Sequence, residues 1–305
     1  MRIAILGSGA MGCLFAGLLS RCNQVSLIAR SEQAVKAINE KGLRIREQDG
    51  TLFQASVPAY MSGTELGPMD LVVVFVKSMD SISALKANEG LIGKSTFLMT
   101  LQNGSGHDEE LARFVSRDRI VLGVTRHNSS VIEPGLVSHG GSGQTVIGLL
   151  GFDPSTIRPI EQAFTACALD CIIALDIERQ IWSKLLLNTS VSSLTALLQV
   201  KQGFIIDDPY ACSVMETLAS EAVEVGNAYG YGLDRDKSIE SIKALISKAK
   251  GGLTSIYADI RDGRLTEVDY ISGSVIRAAQ KKGIEVPCHR MLVALIHAME
   301  DKGRA

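Results

Sequence analysis

The chain opens on a strand, a glycine-rich turn and a helix in direct succession, and that unit limits the folds open to everything after it. Ile3, Ala4, Ile5 and Leu6 form a short apolar run, the pattern of a strand buried on both faces. Gly7-Ser8-Gly9-Ala10-Met11-Gly12 follows at once, and Leu14, Phe15, Leu18 and Leu19 then recur at helical spacing. In that setting G-x-G-x-x-G reads as a dinucleotide-binding fingerprint. Gly7 allows the tight turn, Gly9 admits a pyrophosphate to the backbone, and Gly12 lets the helix close on its strand. The unpaired N–H groups at the helix start face the anion. A plain glycine-rich turn is the alternative, but a unit at the N-terminus is free to begin a doubly wound sheet.

The next strand, over 24–28, ends at Ala29, Arg30 and Ser31. A carboxylate at this strand end suits the ribose 2′-hydroxyl of NAD, whereas arginine suits the 2′-phosphate of NADP. Arg30 therefore points to NADP, against the plainer reading of an exposed surface arginine, and Ser31 adds a hydroxyl. Residues 32–43 read as a short helix with a turn, and 51–57 as an edge strand or crossing ribbon. The apolar run over 71–76 fits a central parallel strand, with Lys77 at its carboxyl end, where open α/β sheets bind ligands. A further strand over 96–100 leads into Leu101-Gln102-Asn103-Gly104-Ser105-Gly106. Asn-Gly is a turn signal in its own right, yet Asn103 also stands where an amide meets the nicotinamide ribose and a bound substrate. Strands over 120–124, 136–139, 145–148 and 172–175 and a helix over 160–168 complete one alternating nucleotide-binding domain, residues 1–175.

Beyond it the β signals stop. With 305 residues the chain exceeds a single ordinary core. Helical segments over 181–198, 209–229, 236–250, 265–282 and 287–299 predict an all-helical second domain, residues 176–305. On the first of these, Lys184, Asn188 and Ser192 stand four apart and form one polar stripe among leucines and valine. The stripe is either a solvated face or the lining of a cleft, and its shortage of charge favours the cleft. A second polar patch runs through 254–259 and 266–269, where Thr266 and Asp269 also fit a helix N-cap arrangement.

A formal charge of -2 argues against a nucleic-acid or anionic-membrane surface. No apolar run is long enough to span a bilayer, and the start lacks a signal peptide's apolar core, so the expected home is the cytoplasm. The six cysteines form no C-x-x-C, and neither they nor the five histidines show metal-ligand spacing. Reduced thiols and no metal are expected.

At this point the chain resembles the ketopantoate reductase family nearly end to end. The resemblance rests on the glycine fingerprint, Arg30, Lys77 and Leu101-Gln102-Asn103-Gly104, together with Trp182-Ser183-Lys184-Leu185-Leu186-Leu187-Asn188. It continues in Ser255, Asp259-Ile260-Arg261, Thr266-Glu267-Val268-Asp269-Tyr270, Gly273 and Gly283-Ile284-Glu285-Val286-Pro287. It implies a Rossmann-type α/β domain followed by an all-α domain like that of 6-phosphogluconate dehydrogenase. It also implies NADPH-dependent reduction of ketopantoate to pantoate, toward pantothenate and coenzyme A, in a cleft between the domains. Lys184 would be the general acid, with Glu267 completing the site beside the nicotinamide. Asn103, Asn188, Ser192 and Ser255 would bind substrate, Asn103 touching the cofactor as well. Gly7, Ser8, Gly9, Ala10, Met11, Gly12, Arg30 and Lys77 would hold NADPH. The chain departs from the family habit at Ser192, where an asparagine is common, and at Ser78-Met79-Asp80, where a small residue, an aromatic and glutamine are usual. The partner implied is a small 2-oxo acid, and a homodimer is one assembly open to the chain. The rival readings are a reductase of another 2-oxo acid, an opine-type dehydrogenase, or a non-catalytic NADPH sensor.

Overall fold

The computed structural model of the chain describes residues 1–303; Arg304 and Ala305, the end of the expected helical domain, lie outside the described residues. The chain divides into two units, Met1–Gln102 with His107–Gln180, and Asn103–Gly106 with Ile181–Ala305.

The first unit alternates strands and helices in chain order. These are β1 (Arg2–Leu6), α1 (Ala10–Leu19), β2 (Gln24–Ile28), α2 (Glu32–Lys41), β3 (Leu43–Arg46), β4 (Leu52–Ala55), β5 (Ala59–Tyr60) and β6 (Leu71–Val74). There follow α3 (Ser81–Ala87), β7 (Phe97–Thr100), α4 (His107–Leu111), β8 (Ile120–Thr125), β9 (Asn128–Glu133), β10 (Leu136–Gly141), β11 (Thr145–Gly148), α5 (Arg158–Thr165) and β12 (Cys171–Ile173). Eight strands form one sheet in the order β12-β11-β8-β7-β6-β1-β2-β5. All neighbours run parallel except β8 and β11. The order reverses at β1, whose Leu6 is level with Ile28 of β2 and Val74 of β6. The carboxyl ends of those three strands therefore open on one crevice, where such sheets take their ligands.

Ile3, Ala4, Ile5 and Leu6 are fully buried, as their continuous apolar run predicts. Several element boundaries differ from expectation, two of them in ways the packing explains. The central strand stops at Val74, and Phe75 and Val76 lie beyond its end, half-buried. The segment read as the tail of a helix, at Leu43, begins a strand instead. Leu43 and Ile45 point inward and Arg44 and Arg46 away, an alternation too short to outweigh the helical pattern before it. That strand belongs to a second sheet, β4-β3-β10-β9, which packs on α1. The second sheet was not foreseen, because β9 (NSSVIE) is an edge strand with almost no buried face to write a pattern.

The second unit is helical. Its elements are α6 (Ile177–Leu187), which begins in the last residues of the first unit, then α7 (Ser193–Leu198), α8 (Phe204–Asp207), α9 (Pro209–Ala228), α10 (Arg235–Lys248), α11 (Ser255–Arg261), α12 (Ser272–Lys282) and α13 (Pro287–Lys302). The sequence marks most starts. Asp208, Asp234 and Thr254 each accept backbone N–H bonds at the heads of α9, α10 and α11. Trp182 anchors α6 to α9 through Nε1, which donates to the carbonyl of Ala222 at 2.9 Å.

Two readings of this half need correction. Residues 181–198 are not one regular helix, since a π turn over Asn188–Ser192 separates α6 from α7. The segment 265–282 is helical only from Ser272, and Thr266 and Asp269 do not cap that helix. Thr266 Oγ1 accepts from the N–H of Val268 inside a turn, and Asp269 pairs with His297. No described helix is long and apolar enough to cross a membrane.

Candidate functional site

In the first unit the three strand ends carry the expected residues. Gly7 leaves β1 with φ +115, a conformation open to glycine, and a Cβ there would stand 2.8 Å from the backbone of Phe75 and Val76. Its N–H donates to the carbonyl of Ile28 at 2.8 Å, and that of Phe75 to Leu6 at 2.8 Å, which locks the three ends together. A Cβ on Gly12 would strike the carbonyl of Gly7, so only glycine lets α1 start this close to the turn. Gly9 meets nothing within 4 Å and leaves its side of the turn clear.

A pocket of about 540 Å³ opens here, lined by Gly7, Ser8, Gly9, Arg30, Lys77 and Asp80 among others. Ala10, Met11 and Gly12 form the first turn of α1 behind the glycines. The lining is apolar along Leu6, Ile28, Ala29 and Ala84, with charge only at the rim, which suits a flat base and a phosphate together. A dinucleotide fits the chemistry of this set.

Two residues here escaped a functional reading. Asp80 precedes α3 without capping it, and its carboxylate instead accepts from the Arg30 guanidinium at 2.8 Å. Gln102, at the end of β7, donates through Nε2 to the carbonyl of Val76 at 2.7 Å and to Ser81 Oγ at 3.0 Å. It thus holds both ends of the loop that carries Lys77 and Asp80. No spacing rule reaches from residue 102 back to 76, so only the parallel pairing of β6 and β7 reveals it.

In the second unit, Lys184 and Asn188 are half-buried one turn apart, beside the exposed Arg179 and Ser183. Ser192 is buried, with only 6% of its surface exposed, so it does not extend the polar stripe as a surface feature. The carbonyl of Ser192 accepts from the hydroxyls of Thr195 and Thr254 at 2.9 and 3.3 Å. Thr254 in turn caps α11, which begins at Ser255, so the π turn and Ser255 are tied through one hydroxyl. Glu267 lies half-buried in the turn before α12. That turn is held by Glu300, which accepts from the N–H of Thr266 at 2.7 Å, and by His297, bonded to Glu300 and Asp269 at 2.9 and 3.1 Å. Asn103 belongs to a short segment fixed in this unit: the N–H of Ser105 donates to the carbonyl of Tyr270 at 3.1 Å. Gly104 presses so closely on that same carbonyl that a side chain has no room. Asn103 and Glu267 thereby flank one clasp.

Behind the π turn runs a buried relay that spacing gave no hint of. Glu221 on α9 accepts from the N–H groups of Cys288 and His289 at 2.9 and 3.1 Å and so caps α13 from another helix. His289 bonds Glu221 at 2.6 Å and Thr189 at 2.9 Å, and Thr189 donates to Ser272 at 3.1 Å. Burial opposes the Glu221 carboxylate, but the bonds from His289 and the two N–H groups outweigh it and hold its carboxyl below the usual range. All six cysteines are free thiols, and burial pushes Cys13 and Cys171 up to about 12, which leaves them inert.

A doubly wound sheet with a glycine turn, an arginine and a lysine at its reversal point, followed by a helical unit with a half-buried lysine, defines a dinucleotide-dependent oxidoreductase. Comparison with known proteins narrows this. The family profile described as ketopantoate reductase PanE/ApbA matches residues 3–151, and that of its C-terminal part matches residues 176–300. The chain belongs to the ketopantoate reductase family. It is 30% identical to the 2-dehydropantoate 2-reductase of Halobacterium salinarum, over 99% of this chain and 100% of that one. To the Pyrococcus horikoshii 2-dehydropantoate 2-reductase it is 28% identical, over 99% of each. Among solved structures, D-mandelate dehydrogenase with NADH and anilino(oxo)acetate superposes with a TM-score of 0.93 at 28% identity, each chain wholly covered. A PanE/ApbA family ketopantoate reductase from Ralstonia eutropha gives 0.90 at 29%, again with full coverage. The protein is an oxidoreductase with a nicotinamide cofactor.

Proposed function

We propose that this enzyme reduces ketopantoate to pantoate in the cytoplasm with NADPH as hydride donor, residues 1–175 holding the cofactor and 176–305 the substrate. The observation that carries the reading is the set Lys184, Asn188, Ser255, Glu267 and Asn103, drawn from four separate segments yet all belonging to one helical unit. A bound NADPH supplies the hydride. Gly7, Ser8, Gly9 and the first turn of α1, with Ala10, Met11 and Gly12, receive its pyrophosphate, and Arg30 and Lys77 its adenosine end. Asn103 orients the nicotinamide ribose and the substrate.

Hydride arrival at a ketone carbon leaves negative charge on its oxygen. The Lys184 ammonium stabilises that charge as it develops and donates the proton, since an ammonium is far more acidic than an aliphatic alcohol. Glu267 favours the charged lysine. Asn188 and Ser255 hold the carboxylate and hydroxyl of the acid in place.

The test follows NADPH absorbance with ketopantoate in wild type and Lys184→Ala. Turnover in the variant should fall by roughly 10²–10⁴-fold with the fold intact by circular dichroism. Near-normal turnover would remove Lys184 from the chemistry. A second reading is a reductase of a different 2-oxo acid, favoured by the likeness to D-mandelate dehydrogenase and by Ser192, whose side chain is shorter than asparagine. A higher kcat/KM for 2-oxo-2-phenylacetate than for ketopantoate in the same assay would select it.

A further inference from the structure

We propose that Asp80 is a cofactor-selecting residue, which makes NADH a working cofactor of this enzyme by offsetting the pull of Arg30 on NADPH. The inference rests on the reading of the first unit's pocket as the seat of the adenosine end, and it deepens that reading.

Arg30 ends β2, where a cation favours a 2′-phosphate. Its guanidinium, however, is already in a 2.8 Å ion pair with Asp80, and both residues line the pocket. The arginine side chain is 78% exposed, and among the described residues its ion-pair partner is this carboxylate. Asp80 is held far more firmly. Its side chain is 26% exposed, the hydroxyl of Ser83 donates to its backbone carbonyl at 2.9 Å, and Gln102 fastens Val76 and Ser81 on either side of it. The backbone that carries the carboxylate is therefore fixed at the rim.

A 2′-phosphate carries close to two negative charges at neutral pH. To reach the guanidinium it must share it with one anion and lie beside that carboxylate, in a rim where Lys77 is the other lining cation. A 2′-hydroxyl has the opposite relation to the same group: it donates to the carboxylate, the part an acidic residue plays at the end of the second strand of NAD-binding sheets. Here that acid comes from the loop after β6 rather than from β2. One rim thus carries the cation that suits NADPH and the carboxylate that suits NADH, bonded to each other.

Titration of the full-length enzyme with NADH and NADPH, read by nicotinamide fluorescence, tests this without any substrate. Wild type should bind the two with Kd values within about tenfold of each other. Asp80→Asn keeps the shape, removes the charge and adds a donor. It should move the NADH-to-NADPH Kd ratio about tenfold or more toward NADPH, and Asp80→Ser should move it the same way by less. In the Asp80→Asn background, Arg30→Ala should undo most of the gain. A ratio shifted less than about twofold in both Asp80 variants overturns the proposal, as does a wild type that favours NADPH more than about a hundredfold. Failure to bind either dinucleotide overturns the pocket assignment itself. Failure to reduce ketopantoate leaves the titration, and this inference, untouched.

Discussion

The hydroxyl of Ser190 donates to the carbonyl of Leu186 at 2.6 Å, where α6 gives way to the π turn over Asn188–Ser192. A serine that bonds back four residues competes for a carbonyl the helix needs. Ser192 is buried at this turn, and Lys184 and Asn188 are half-buried. At the same scale, His297 binds the turn that presents Glu267. Burial works against its charged imidazole, but the bonds to Glu300 and Asp269 outweigh burial and raise its pKa above the ordinary 6.5. Glu300 is likewise penalised by burial yet held below 4.5 by Thr266 and His297. The stability from His297 is thus complete below about 6.5 and lost as pH rises through the raised value, whereas that from Glu300 is lost only as pH falls through its depressed one. His297→Gln should therefore lower the unfolding free energy more near pH ~5.5 than near pH ~9, by under about 1 kcal/mol because the imidazole is half-exposed. An equal deficit at both pH values would show that the ion pairs do not hold the turn.

Among the elements, α1 has the most to hold in place. It follows the glycine turn directly and lies between the large sheet and the small one. Phe15 is its central contact, fully buried, with ring centroids 5.1 Å from Phe75, 5.5 Å from His127 and 6.1 Å from Phe164. Phe75 itself lines the pocket at the strand ends. Phe15→Ala should cost about 3–5 kcal/mol in denaturant unfolding and weaken dinucleotide binding through the loosened Phe75. A loss of stability below about 1 kcal/mol would mean that the cavity collapses freely and that the helix is not seated by this ring. The strands buried on both faces, such as β1 and β6, and a helix with an apolar stripe, such as α9, were legible from their residues. Those that bury little, such as β9, were not, because an exposed edge strand needs no apolar period.

Over the whole molecule, two apolar cores form with no residue in common, one from Ile3 to Cys171 and one from Trp182 to Ile296. Each is large enough to unfold as its own cooperative body. Trp182, the single tryptophan, sits in the second core, so its fluorescence reports that unit alone. Guanidinium unfolding followed in the far ultraviolet should show two phases, one of them coincident with Trp182 fluorescence, and saturating NADP⁺ should raise the other by about 2.7 kcal/mol at a hundred times Kd. Coincident midpoints with and without the nucleotide would show a single cooperative body.

Glycines at 7, 9 and 12, Arg30, Lys77 and the alternation of apolar runs sufficed to establish a dinucleotide-binding sheet and a helical second half, because local pattern dictates backbone geometry within a strand-turn-helix unit. The pairing of Arg30 with Asp80, the tether from Gln102 to Val76, the relay from Glu221 through His289 to Thr189, and the π turn that inters Ser192 came only with the tertiary structure. Each joins side chains across distant segments or depends on which of two acceptors a hydroxyl reaches, and neither choice is written in the order of residues along the chain.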